Sequence, residues 1–346
     1  MRLKKFFNLL LILPFLVSCS QDRSHYRHIW QSAHHMDDAQ MTHVYGEPDE
    51  DMSNIFGAVI EAVDGNWDSV AALTEGSRPS TLYAYYHNLA MAMKGHLADS
   101  LMYYYQPFER GLFLPVGEKS GQLTIAASSE VWYRLGEMTM AEHSAMLAQI
   151  FSPNHFGIPY LKRLAEINMV NGQTEAVKKY LYILSKEEGC GRWVSDRLPG
   201  KESKAVKEHV SSLRNLVPKT DVVHNPSDYR GILKNLLSSN PDNVLAREYL
   251  LCLDILIKDL EHFIEDYDPS IDRSRLYDEA VLIFLAQRNS ITSRNLEHFG
   301  ISQDVLQDFS DYNNMVTNNH GDMAPMQEKY GHTYWFFYQY AKRKVN

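Results

Sequence analysis

The sequence predicts an all-α protein built from stacked αα-hairpins. Three observations carry that expectation. Apolar residues recur at i, i+3, i+4 and i+7 through most of the chain, the spacing of one helical face. Strand signals are scarce: no period-two alternation is sustained, and no Asn-Gly or Asp-Gly pair sits between Val/Ile/Thr-rich runs. Short turns separate the amphipathic segments, most plainly in residues 158–187. There Leu161, Leu164, Ala165 and Ile167 make one stripe, Asn171-Gly172 breaks it, and Ala176, Val177, Tyr180, Leu181 and Leu184 make a second. A tight turn lays two such stripes together. Neither helix buries its stripe alone, so hairpins of this kind stack.

The chain has 346 residues, of which 45% are hydrophobic and 22% charged, as in ordinary globular proteins. That is enough for one large or two ordinary domains. Its net charge is −9, and removal of a leader carrying Arg2, Lys4 and Lys5 takes it to −12. An acidic chain without a long basic run argues against nucleic acid as a partner.

Residues 1–18 read as a secretory signal. Arg2, Lys4 and Lys5 precede a run from Phe6 to Val17 that is apolar apart from Asn8. The run is shorter than the roughly 20 residues a membrane-spanning helix needs. It ends Leu16-Val17-Ser18-Cys19, which resembles the lipobox of bacterial lipoproteins. The resemblance implies that Cys19 is lipidated and becomes the new N-terminus. Several acyl chains anchor a protein stably where one does not. Ser20, rather than Asp, after Cys19 implies the outer membrane of the cell envelope.

Residues 19–50 are expected to be the lipidated cysteine and a solvated tether. His25, His28, His34, His35 and His43 lie there beside Asp37 and Asp38, without a fixed metal-ligand spacing, and no metal is expected. Residues 51–188 form an N-terminal lobe. Residues 54–63 and 67–73 make helices around Gly65-Asn66, and residues 83–94 and 97–105 make helices around Gly95. The tyrosines among them read as packing. Residues 107–121, rich in Gly and Pro, read as a loop forming a lip. Val131-Trp132-Tyr133-Arg134-Leu135-Gly136, followed by Ala145, Ala148 and Pro153, resembles the tetratricopeptide repeat, whose first helix carries Trp-x-x-Leu-Gly. Leu164-Ala165, Gly172, Glu175-Ala176 and Leu184 continue that resemblance, with irregular spacing. It implies a tetratricopeptide-like α-solenoid. Residues 161–166, 171–173 and 179–181 also resemble a family of uncharacterised helical-repeat proteins from Gram-negative bacteria, a domain of unknown function.

Residues 189–226 read as a hinge containing one polar helix over 203–216. Residues 227–346 form a C-terminal lobe. Asn240-Pro241-Asp242-Asn243 is a turn that caps the next helix, which is expected to run unbroken over 244–266. Asp266, Asp268, Ser270 and Asp272 imitate a calcium loop, but Ile271 and Tyr277 occupy its required Gly and Glu positions. A Cys190–Cys252 disulfide is one reading in an oxidising envelope; the preferred reading is that Cys252, in an apolar helical run, is a small core residue. The chain closes on an aromatic block in which Tyr334, Trp335, Phe336 and Tyr338 serve either as core or as an interaction surface.

Nucleophile-elbow, zinc-protease, dinucleotide and phosphate-loop motifs are all absent. The expectation is a protein that is not an enzyme and needs no cofactor. Two functions stand. The first is a membrane-anchored helical-repeat scaffold that holds a partner protein. The second is a glycan- or solute-binding lipoprotein beside an outer-membrane transporter. Rings exposed together on one concave face favour the second, and buried rings favour the first.

Overall fold

The computed structural model describes residues 24–343, apart from 48, 77–78, 221–224 and 319–321. Among the described residues the secondary structure is helical throughout, without strands. The chain runs α1 (Ser24–Ala33), α2 (Asp38–Tyr45), α3 (Glu50–Asp64), α4 (Trp67–Thr74), α5 (Thr81–Met93), α6 (Leu97–Ser100), α7 (Gln122–Ala127), α8 (Ser129–Leu135), α9 (Met138–Phe151), α10 (Ile158–Val170) and α11 (Thr174–Leu184). It continues through α12 (Gly191–Ser195), α13 (Lys204–Leu216), α14 (Tyr229–Ser239), α15 (Val244–Leu256), α16 (Leu260–Asp266), α17 (Arg275–Gln287), α18 (Ser293–Phe299), α19 (Gln303–Asn318), α20 (Met323–Tyr330) and α21 (Tyr334–Tyr340). None of the described helices is long and apolar enough to cross a membrane.

Two layers follow from the hydrophobic patterning. Helices α5, α8, α10, α15 and α17 are buried on nearly every side. Helix α11 buries only the stripe Val177, Leu181 and Leu184 and lies outside α10. Helices α4 and α9 likewise pack against α3 and α8. A helix without a polar face belongs inside, and one with a stripe belongs outside.

The same turn recurs between inner and outer helices. A backbone N–H reaches five residues back in Asn66→Glu61, His96→Met91, Glu137→Trp132, Gln173→Asn168, Asp259→Asp254 and Ser290→Leu285, each at 2.8–2.9 Å. This closes the helix end by satisfying a carbonyl that has no partner within the helix. The geometry demands a left-handed residue, supplied by Gly65, Gly95, Gly136 and Gly172 in the first half and by Lys258 and Asn289 in the second. Gly136 is doubly constrained. Its φ is +90°, and a Cβ there would lie 2.5 Å from the Cβ of Leu216.

Three expectations change on this fold. Residues 24–45 are not a loose tether. Helices α1 and α2 bring fully buried Trp30 and Met41 into the core, with Trp30 stacked 4.7 Å from Phe56. The stretch 107–121 is not a lip. Leu112, Phe113 and Leu114 are buried, and Phe113 stacks on Trp132 and Tyr229 at 4.8 and 4.6 Å, joining the two halves of the chain. Residues 244–266 are not one helix, because Lys258 turns the chain between α15 and α16. Within the stretch read as a hinge, α12 and α13 are folded, and α13 packs Val206, Val210 and Leu213 inward beside α10.

Candidate functional site

The turns of several hairpins meet at one end of the molecule. Val63 to Trp67, Ala92 to Gly95, Asp242 to Leu245 and Glu248 line a groove of about 1210 Å³. Arg192 and Trp193 of α12, Asp196 and Arg197 just after it, and His209 of α13 also line it.

A buried ionic network lies beneath it, and Arg134, Glu166 and Arg197 of that network line the groove as its floor. Glu130 accepts from Arg134 Nε at 2.8 Å and from the Arg163 guanidinium at 2.8 and 3.0 Å. Glu166 accepts from Arg163 at 2.5 Å and from Arg197 at 2.6 and 3.0 Å. The remaining donors reach main-chain carbonyls at the end of α3: Arg134 binds Ala62 O at 2.8 Å, and Arg163 binds Val63 O at 3.1 Å. Arg163 is 1% exposed. Such a network survives burial only because every charge is paired. Burial opposes ionisation of Glu166, but Arg163 and Arg197 outweigh it and hold the carboxyl below its ordinary value.

Rings sandwich the guanidiniums. Arg163 lies 3.8 Å over Tyr133, Arg197 lies 3.9 Å over Trp193, and Arg134 lies 4.8 Å over Trp67. Tyr133 Oη bonds His209 Nε2 at 2.9 Å, and burial lowers the pKa of His209. The network and its rings therefore tie α3, α4, α8, α10 and the α12 segment together. The rim is open, with Val244 75% exposed. Rigid floor, open rim and mixed charge suit the binding of a polar or peptidic ligand.

A second, smaller cavity of about 340 Å³ lies between the start of α17 and the C-terminal helices. Arg275 bridges Glu279 and Asp308 there, at 3.0 and 2.8 Å. Tyr103, 66% exposed, stacks on His332 at 5.1 Å with rings 9° apart.

The residues singled out in the sequence fall as follows. Cys19 lies outside the described residues. Tyr334 and Trp335 are buried, with Tyr334 Oη donating to Ile255 O at 2.9 Å and Trp335 Nε1 to Glu279 O at 3.1 Å. Phe336 and Tyr338 are half-buried, and Phe336 packs 4.8 Å from Tyr340. The N-terminal histidines are scattered among partners. His34 is buried between Trp30 and Tyr160, and burial pushes its pKa down to about 4. His35 pairs with Glu187 at 2.8 Å. Among the described residues no metal-binding cluster of three His, Cys, Asp or Glu forms. Cys190 and Cys252 are both free and buried. Asp268 and Asp272 serve a turn, with Asp272 also taking Arg247 at 2.7 Å.

Sequence reading missed the floor. Glu130 with Arg134, and Arg163 with Glu166, have the spacings of ordinary surface pairs. The usable signal was that both pairs sit on helices with no polar face.

A family of unknown function, DUF6057, matches residues 3–341. No curated protein and no solved structure matches the chain.

Proposed function

We propose a role for this chain, which belongs to the DUF6057 family of unknown function, as a lipid-anchored scaffold of the bacterial cell envelope that holds a partner protein in the groove. The groove carries the proposal: a surface of about 1210 Å³ over a floor that no side-chain rearrangement reshapes cheaply. The turn that recurs at the ends of α3, α5, α8, α10, α15 and α17 supports a tetratricopeptide-like repeat, an architecture whose stacked turns and helices commonly present a binding face. The anchor at Cys19, the outer-membrane location and the absence of catalysis are parts of the same reading. The burial of Tyr83, Tyr85, Tyr86, Tyr334 and Trp335 favours the scaffold over a glycan-stacking surface.

The glycan- or solute-binding alternative rests on the second cavity. Its exposed Tyr103–His332 stack beside Asp99, Glu279 and Asp308 has the ring and carboxylates a sugar needs.

A photo-crosslinking amino acid at Val244, on the groove rim, is expected to give discrete protein adducts in intact cells. The same group at exposed Ile271, which does not line the groove, is expected to give none. Equal adducts from both positions refute the groove assignment. Cys19→Ala is expected to abolish incorporation of a fatty-acid probe, and continued labelling refutes the anchor.

A further inference from the structure

The acidic chain contains one basic island. Residues 174–220 hold ten Lys and Arg against six Asp and Glu, whereas the whole chain carries −9. They form α11, α12 and α13, and nine of the ten cations are exposed: Lys178, Lys179, Lys186, Arg192, Lys201, Lys204, Lys207, Arg214 and Lys219. A shared hollow lined by Thr174 and Val177 from α11 and by Val206 and Lys207 from α13 brings the two helices together. Between the charges stand exposed Tyr182 and Leu198 and half-buried Trp193. Lys186 lies 4.1 Å over the Tyr182 ring.

The chain enters the fold through α1, and just beyond the far end of that helix His35 reaches the island by pairing with Glu187. Tyr26, one turn into α1, donates to Glu61 near the end of α3 at 2.8 Å, and Trp30 packs lower, on Phe56. Helix α1 therefore runs antiparallel to α3, its first turn packed on Gly57 and Glu61 of that helix. Both the 64–67 turn that follows α3 and helix α12 line one groove. Four residues separate Cys19 from Ser24, a reach of about 18 Å when fully extended. The anchor proposed above keeps the start of α1 within that reach of the bilayer.

We propose that the α11–α13 face docks on an anionic lipid surface, with Lys201, Lys204 and Lys207 meeting the headgroups and Tyr182 and Leu198 entering the interface. The argument is charge complementarity joined to the position of the tether. A basic cluster near a membrane adds attraction to anionic lipid within a Debye length. Tyr and Trp with flanking Lys suit the headgroup level. The orientation rests on the anchor proposed above, but the lipid preference does not.

The test uses the chain from residue 20, which retains every described residue, mixed with vesicles of equal parts phosphatidylglycerol and phosphatidylcholine or of phosphatidylcholine alone. Sedimentation is expected with the anionic vesicles only, and to vanish near about 1 M salt, where the Debye length is about 3 Å. The variant K201E/K204E/K207E is expected to weaken binding at least about tenfold, since each basic group near the surface is worth about fivefold. Its circular dichroism and melting temperature are expected to match wild type, because the three side chains are exposed. Equal binding to neutral vesicles, or undiminished binding by the variant, overturns the proposal. No binding to anionic vesicles overturns it too, and leaves the face to an acidic protein. Loss of fatty-acid labelling at Cys19 is a separate readout, so failure of the anchor and failure of the lipid face are distinguishable.

Discussion

Arg163→Met tests whether the groove floor is held by charge. The side chain is 1% exposed and donates to Glu130, Glu166 and Val63 O. Methionine keeps most of the length and loses all of the donors. Removing one partner of a buried ion pair costs about 3–5 kcal/mol, because the other charge is left uncompensated. Here Glu130 keeps Arg134 and Glu166 keeps Arg197, which places the cost at the lower end, about 3 kcal/mol. At about 2–4 °C per kcal/mol for a chain of this class, the melting temperature is expected to fall by about 6–12 °C at pH 7. Arg163→Lys keeps the charge without the fork and is expected to fall between the two. The pH dependence supplies a sharper check. Glu166 has a folded pKa below its ordinary 4.5, so its pairing stabilises the protein above that value and is lost as pH falls through the folded pKa. The gap between wild type and Arg163→Met is therefore expected to narrow below about pH 4.5. Calorimetric scans from pH 3.5 to 7.5 measure both effects. A loss under about 2 °C at pH 7, or a gap independent of pH, refutes the reasoning.

Two further outcomes follow from other buried groups. Asp254 is fully buried, with Arg230 Nε 3.3 Å from its carboxylate; burial, against the pull of Arg230, pushes its pKa up to about 7. A raised carboxyl pKa means the folded state holds a proton that the unfolded chain has released, so this group makes stability fall as pH rises from about 4 to 7, and Asp254→Asn is expected to melt several degrees higher at pH 8 and flatten that slope. Trp335→Ala removes a ring that is 1% exposed and donates to Glu279 O; a loss of about 3–5 kcal/mol is expected in chemical denaturation, and a loss below about 1 kcal/mol shows that the terminal aromatics are not core.

How far the fold was legible depended on where glycine made the turns. Gly65, Gly95, Gly136 and Gly172 announced four hairpins, because glycine takes positive φ without a side-chain clash. The same turn at Lys258 and Asn289 uses residues that tolerate the strain only when the surrounding packing fixes it, so the break between α15 and α16 was invisible in an apolar-periodic run. The loop at Phe113 misled for a related reason. Gly and Pro density marks irregular backbone, but burial was decided by Asn88 and Gln106, which bond each other at 2.9 and 3.1 Å and satisfy the carbonyls of Gly111 and Leu101.

The groove floor was hidden by a different ambiguity. A Glu and an Arg four apart on a helix are usually solvated, and nothing in the spacing says otherwise. What distinguishes Glu130 and Arg134 is the company of Val131, Trp132, Tyr133 and Leu135, which leaves α8 no polar face to turn outward. The same holds for Arg163 and Glu166 within α10, for Asp254 within α15 and for Glu279 within α17. Each of these inner helices carries an acid that solvent does not reach, and each acid lies against an arginine: Glu130 and Glu166 with Arg163, Asp254 with Arg230, Glu279 with Arg275. Apolar packing alone lets two amphipathic helices slide or rotate at small cost. A buried acid that must find a guanidinium on another helix does not: Glu130 of α8 meets Arg163 of α10, and Asp254 of α15 meets Arg230 of α14, so these two pairs hold the register of the helices they join.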